Sequence, residues 1–539
     1  MFDIKIINGT LIDGSGEARR QADIGITGDK ITAIGNLKEA QSQATIDAKG
    51  KVVSPGFIDI HTHSDLSILY DRHTNSKIHD GVTTETVGNC GIGVTPVNPA
   101  NKQLLLDYLG TRMIGSLPVK LDTHWESFAD YLDYVNANNP SVNVAPLVAQ
   151  GPIRIAEMGF AKEPANPAQI KNMQAMVRKA MQEGGLGLSS GLVYLPGAYT
   201  NTAELTEVTK PIKEFGGFYV THLRSEGDDM FEALEEAITI AKGAGVPLHV
   251  SHLKLSSGKV HGQTDRLFKR IADAEAEGLE ISFDVYPYSA GMTAMTALLP
   301  AWVFEGGIQK LLERIQDPAQ RAKIIQDCTT GLPGWQSFSK DATWDGVIVS
   351  TVINESSKYL EGRTVRNIAE EMGKDPFDAV FEMLRMENGR LQVVVKMMGD
   401  ADVEKIIAHP KGSFGSDGMS LSTEGLLAFG KPHPRAYGTH GIILSKYVRE
   451  KKLISLETAV RKMTAMPAER LKLDRRGLIK EGFFADVTVF DEGTVKDNAT
   501  YDEPKQYTTG IDKVIVNGQV VLSDGKHQEV FPGRVIGRP

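Results

Sequence analysis

Residues 56–63 read GFIDIHTH, a short apolar run that opens on a glycine and ends in His61-Thr62-His63. A run of this length with those borders fits a buried strand, and side chains alternate along extended chain, so His61 and His63 point to the same side. Outward from it the same grammar recurs: TTETVG at 83–88, VNVAPLVA at 142–149, LGLSSG at 186–191, GFYVTH at 217–222, VPLHVSH at 246–252, LEISFDVY at 279–286 and KGSFGSD at 411–417. Helix-period stripes separate several of these runs, such as Ile170, Met173, Val177, Ala180 and Met181, or Phe231, Leu234, Ile238 and Ala241. Strands alternating with helices predict an α/β fold, a closed (β/α)8 TIM-type barrel. The methionines in those stripes are expected to pack the core.

The barrel is placed over residues 56–470, with an insertion after strand seven at about 290–400, a stretch too long for one crossover helix. Gly331-Leu332-Pro333-Gly334 and Asp375-Pro376 mark breaks inside it. Both ends of the chain read as short strands. Phe2, Ile4 and Ile6 alternate up to an Asn8-Gly9 turn, Ile24, Ile26, Ile31 and Ile34 flank Gly28-Asp29, and Asn517-Gly518 divides two β-branched runs. A small β-sandwich built from both chain termini, residues 1–55 and 471–539, is the expectation.

The composition excludes several classes. Of 539 residues 41% are hydrophobic and 24% charged, and no stretch approaches the ~18 apolar residues of a membrane span, which argues against disorder and membrane insertion. The charge sum, 59 Lys+Arg against 68 Asp+Glu, is −9 with no dense basic cluster, so a nucleic-acid partner is not expected. Cys90 and Cys328 are the only cysteines, which excludes a disulfide framework and suits a reducing compartment. MFDIKIINGTLIDGSG lacks a signal-peptide core, so a cytoplasmic location is expected.

In such a barrel, chemistry collects at the carboxyl ends of the strands. There stand His61 and His63 after the first run, Cys90 after the second, His222 after the fifth, His252 after the sixth and Asp417 after the eighth. With only 13 histidines in the chain, four at these ends point to a metal centre. A thiolate with imidazoles favours Zn²⁺ over Mg²⁺ or Ca²⁺. The bland alternative for Cys90 is an inert buried thiol. Zinc with an open position activates water and polarises a carbonyl, which suits a hydrolase of amides or esters. Asp417, in the turn Gly415-Ser416-Asp417-Gly418, is the proton carrier of choice, the alternative being a carboxylate that caps its turn. The other histidines, among them His73, His249, His433, His440 and His527, default to surface or core roles.

These residues match a known pattern. The chain resembles the amidohydrolase superfamily, and within it the D-aminoacylase (N-acyl-D-amino-acid deacylase) family, through GFIDIHTHSD at 56–65, GVTTETVGNCG at 81–91, SSGLVYLPG at 189–197, THLRSEG at 221–227, HVSHLK at 249–254, DVYPYSAG at 284–291 and HPRAYGT at 433–439. The resemblance implies zinc-dependent hydrolysis of N-acyl-D-amino acids to a carboxylic acid and a free D-amino acid. It implies a tight zinc on Cys90, His222 and His252, with His61, His63 and Asp417 around a second, weaker position. Asp417 would be the general base, Tyr194 would sit near the scissile carbonyl, and Lys254, Tyr286 and Arg435 would receive the α-carboxylate. Met292 and His440-Gly441-Ile442 depart from the family pattern, and no carboxylated bridging lysine can be assigned. A cyclic-amide hydrolase of the hydantoinase or dihydroorotase type is the alternative that Cys90 argues against; a non-catalytic scaffold should have lost ligands. Finally, residues 287–309, which follow strand seven and are expected to overhang the pocket, hold no Lys or Arg and only one acidic residue, Glu305, among Met292, Met295, Leu298, Leu299 and Trp302. A buried second carboxylate without a cation is costly, so apolar substrate side chains are expected over acidic ones.

Overall fold

The computed structural model describes residues 1–112 and 123–538. Each of the apolar runs becomes a strand: Phe57–Asp59, Val82–Val87, Asn143–Pro146 continued by Val148–Ala149, Leu188–Gly191, Tyr219–His222, Leu248–Val250, Ile281–Val285 and Gly412–Phe414. Neighbours pair in parallel, for example Gly191 with His222, Val250 with Phe283 and Val285 with Phe414. The cylinder closes between the last strand and the first, where Thr62 bridges Gly418, the Asp417 amide donates to the His61 carbonyl at 2.8 Å and the His63 amide to the Gly418 carbonyl at 3.1 Å. Closure therefore places Asp417 beside both histidines.

The outer helices follow from their stripes. Helix Pro167–Gln182 starts on Asn166, whose side chain accepts from the amides of Ala168 and Gln169, and it buries Met173, Val177, Ala180 and Met181. The methionines are core packing, as their spacing predicts. The amino mouth of the barrel is covered by the C-terminal segment. Its Ile536 amide donates to Val144 O at 2.8 Å and its Arg538 amide to Gly184 O at 3.1 Å, while the Val144 amide donates back to Arg534 O at 3.0 Å. Ile536 packs there on a cluster of Ile58, Ile60, Leu147, Leu186, Phe218 and Val220.

Both termini do build a sandwich. One sheet holds Phe2–Ile7, Asp23–Thr27, Lys30–Gly35 and Ser42–Asp47; the other joins Thr10–Leu11, Arg20–Gln21 and Val52–Pro55 to Val487–Phe490, Ile511–Val516, Gln519–Ser523 and Lys526–His527. Ile4, Ile6, Ile24 and Ile26 of the first face Leu11, Val53, Val489 and Ile515 of the second. Asn517 and Gly518, at φ 47° and 78°, make the two-residue turn that their side chains permit.

The segment after strand seven forms its own antiparallel sheet, in which Gln392–Lys396 runs between Ala290–Ala294 and Val347–Thr351. Met295, Leu298 and Leu299 are buried in a separate core beneath it, and Trp302 packs on that core with its indole N–H on Asp327. This corrects the expectation that these residues overhang the substrate. Of that stretch, Met292 to Ala294 line the cavity described below. Among the described residues no helix is long and apolar enough to cross a membrane.

Candidate metal centre

The centre is assembled by backbone that few side chains tolerate. After the second strand the chain turns through Gly88, Asn89, Cys90 and Gly91, with Cys90 at φ 54° and the two glycines at 81° and 65°. A Cβ on Gly91 would lie 2.8 Å from Gly191 N, so only glycine lets this turn press on the fourth strand. Asn89 ties the turn down by donating its amide to Thr86 O at 2.9 Å. His252 and Asp417 also stand at positive φ, 35° and 50°. Strain of ~1–3 kcal/mol at such a residue persists only where surrounding contacts enforce it, and it gathers at functional sites.

The side chains converge on one sulfur. Cys90 Sγ lies 3.3 Å from His61 Nε2, 3.4 Å from His252 Nε2 and 3.8 Å from His222 Nδ1. His63 Nε2 is 3.0 Å from Asp417 Oδ1, and His61 Nε2 is 3.6 Å from the same oxygen. Ligand atoms of His61, Cys90, His252 and Asp417 all fall within 4.8 Å of one another. All six strand-end residues singled out in the sequence thus meet at one place.

Behind them stand two carboxylates that the sequence reading did not single out. Asp284 Oδ2 lies 3.3 Å from His61 Nδ1, and Glu226 lies 2.9 Å from His252 Nδ1 and 3.5 Å from His222 Nε2. Each of these three imidazoles therefore turns one nitrogen to the sulfur and the other to an acid, the arrangement that fixes tautomer and raises basicity in metal-ligating histidines. A buried thiol, three backed imidazoles and a carboxylate fit a thiophilic divalent ion. The electrostatics agree. Burial would raise the Cys90 thiol, yet the charges of His61 and His252 hold it well below its ordinary range. Burial would lower His63, but its bond to Asp417 and the nearby sulfur lift it to about 9. Asp417 is held well below the usual carboxylate range against its burial, chiefly by Arg435 and His252.

The residues expected to hold substrate lie on one side of this cluster. Arg435 Nη1 sits 2.7 Å from Asp417 Oδ2, and its guanidinium stands over the Tyr286 ring at 4.9 Å. Tyr194 packs on His222 with ring centroids 5.0 Å apart. Lys254 lines one small cavity with Tyr194, Tyr286 and Arg435, and its Nζ lies 2.5 Å from Glu226 Oε1 and 2.6 Å from His252 Nδ1. The cavity beside Asp417 is walled by Ile92, Met292, Met419, Leu421 and Pro432, with Arg435 as its cation. His433, left to a surface or core role by the sequence reading, also lines it; its Nε2–H donates to Ala290 O at 2.9 Å and its Nδ1 accepts from the Arg435 amide at 3.0 Å. His249 backs Asp284 at 3.1 Å.

Gln336, from the insertion, was also missed. Its Oε1 accepts from the Glu226 amide at 3.0 Å and its Nε2 donates to Ser256 Oγ at 2.7 Å, which binds the loops after strands five and six to one another. Nothing in a lone glutamine marks such a role.

The family model described as the amidohydrolase family matches residues 44–522. A D-aminoacylase of Alcaligenes xylosoxydans xylosoxydans is 35% identical over 100% of this chain and 98% of its own length. An N-acyl-D-aspartate deacylase of the same organism is 32% identical over 99% of this chain and 95% of its own. The solved structure of an N-acyl-D-glutamate deacylase from Bordetella bronchiseptica, complexed with zinc and a phosphonate mimic of the tetrahedral intermediate, superposes with a TM-score of 0.81 at 30% identity, covering 100% of both chains.

Proposed function

This chain belongs to the amidohydrolase family, and on that premise we propose that it is a metal-dependent hydrolase of linear amides that cleaves N-acyl-D-amino acids to a carboxylic acid and a free D-amino acid. The observation that carries the reading is the convergence of His61, His222 and His252 on Cys90 with Asp417 alongside. Cys90, His222 and His252 would hold a zinc ion, and His61, His63 and Asp417 would surround a weaker second position. Zinc, when bound, supplies Lewis acidity and an activated water.

The chain's own groups do the rest. Asp417 takes the proton of the attacking water and returns one to the leaving nitrogen. Arg435, a planar fork suited to carboxylates, holds the substrate's α-carboxylate with Tyr286 beside it. Because Arg435 rests on Asp417, a carboxylate arriving there shares the cation's charge and leaves Asp417 freer to accept a proton. Tyr194 borders the scissile carbonyl. Ile92, Met292, Met419 and Leu421 would receive an apolar side chain, whereas a second carboxylate would find no Lys or Arg besides Arg435 among the described residues of that wall. A cytoplasmic location fits the cysteine usage.

The test is a matched assay of zinc-loaded protein on N-acetyl-D-methionine, N-acetyl-L-methionine and N-acetyl-D-glutamate. Hydrolysis of the first well above both others is expected. Equal kcat/KM for the two enantiomers would sink the D-specific reading, and a preference for glutamate would sink the apolar pocket.

A further inference from the structure

Outside the centre just described, a second set of donors meets. The loop after the first strand carries His73, and the C-terminal segment carries His527 and Glu529; one ligand atom from each lies within 4.8 Å of the others. His73 Nε2 is 3.2 Å from Glu529 Oε2, and His527 Nδ1 is 3.5 Å from Glu529 Oε1. Tetrahedral zinc with bonds of about 2.0–2.2 Å spaces its ligand atoms about 3.3–3.6 Å apart, so the His527–Glu529 separation already falls in that range, and the His73–Glu529 contact, now a hydrogen bond to the other carboxylate oxygen, would open only slightly around an ion.

The outer nitrogens are also held. His73 Nδ1 lies 2.6 Å from Asp71 Oδ1, and His527 Nε2 lies 2.8 Å from Ser141 Oγ. Each imidazole is thereby oriented with its other nitrogen toward Glu529, which is the outer support that metal-binding histidines use. The rings meet edge to face at 4.9 Å, and Phe531 packs on both at 5.1 Å, which limits their rotation. His527 Nδ1 accepts from the Glu529 amide at 2.8 Å, a bond that an ion would replace.

We propose that His73, His527 and Glu529 form a peripheral binding site for a divalent transition-metal ion of the zinc class. Two imidazoles and one carboxylate select such an ion over Mg²⁺ or Ca²⁺ and leave a fourth position for water. Its effect is mechanical. Glu529 immediately precedes the segment that covers the amino mouth, so an ion here fastens that segment to the barrel. The proposal stands independently of the substrate reading.

The experiment compares the full chain with His73→Gln, Glu529→Gln and Asp71→Asn, using ZnCl2 as the probe after the main centre has been filled. Elemental analysis and calorimetric titration count the zinc, and amide hydrogen exchange over residues 530–538 reads the fastening. The parent should take up one equivalent more than His73→Gln or Glu529→Gln, with slower exchange on zinc addition in the parent alone. Asp71→Asn should keep that equivalent at ~10–100-fold weaker affinity. Hydrolysis should be unchanged in all. Glu529 is largely exposed, so its variant folds as the parent does. Equal zinc uptake by the parent and Glu529→Gln would overturn the proposal, and so would loss of hydrolysis together with the extra equivalent, because the ion counted would then belong to the main centre.

Discussion

The two mouths of the barrel are made by the same strands and are built on opposite terms. At the carboxyl mouth, Cys90, His252 and Asp417 sit in left-handed backbone, and a thiol, imidazoles and carboxylates are buried together. At the amino mouth, Ile58, Leu186, Phe218 and Ile536 pack against one another under a hydrogen-bonded strip of chain. Strain and charge are kept at one end, and the apolar packing that offsets them is kept at the other. Substitutions should therefore separate cleanly into those that stop chemistry and those that loosen the fold.

Asp417→Asn gives the sharpest test. An amide cannot accept the water's proton, so kcat should fall ~10² to 10⁴-fold with the thermal midpoint unchanged by circular dichroism. A variant that melts early yet turns over normally would invert the comparison. Phe218→Ala, at the other mouth, should cost ~3–5 kcal/mol in urea unfolding while the zinc-loaded folded fraction keeps its kcat. A fall in kcat without a stability loss would mean that the mouths are coupled.

Glu226→Gln acts between these extremes. It leaves two imidazoles poorly backed, and zinc affinity measured against a competing chelator should drop ~10–100-fold. Gln336→Ala should do the same more weakly, because it acts through the Glu226 loop; rescue by Gln336→Glu is not expected, since a carboxylate cannot donate to Asp341 and would face it with like charge.

The smallest effect concerns a buried ammonium at the amino side, Lys462. Lys462 donates to the carbonyls of Ile407 and His409, and burial pulls it down to about 7 from 10.5. Between those values the unfolded chain holds the extra proton, so stability rises with pH across that window; below it both states are charged and the burial cost is fully present. Raising the pH from 7 to 9 should therefore lift the midpoint of the parent, and Lys462→Met should flatten that slope. A parallel slope in both proteins would remove Lys462 as its source.

The strands and the convergence of the strand-end donors were legible because both depend on local order: an apolar run ends, and a donor follows it. His61, Cys90, His222, His252 and Asp417 obey that rule without exception. Glu226 and Asp284 do not declare themselves, since a carboxylate behind an imidazole looks in sequence like any other acid. The contact of Lys254 with Glu226 was hidden for the same reason, since the acid could not be placed beside it from sequence. The error over Met295 and Leu298 has a topological cause. Ala290–Ala294 pairs with Gln392–Lys396, and that distant pairing rolls the residues after Ala294 into the insertion's own core and away from the cavity.

The sandwich carries a consequence for how the chain reaches this state. Ser54 Oγ donates to Thr488 O across 434 residues, and Val53 pairs with Val489. The four-stranded sheet of residues 2–47 can pair as soon as it is made, but its inner face of Ile4, Ile6, Ile24 and Ile26 has only Leu11 and Val53 as partial cover until Val487–Phe490 arrives. Closing so long a loop adds little to the equilibrium cost, about 0.6 kcal/mol per doubling, yet contacts this distant form late. During synthesis the first segment to emerge is therefore the last to be sealed, and for that interval it is an open sheet with a sticky face, the species on which chaperones and aggregation compete.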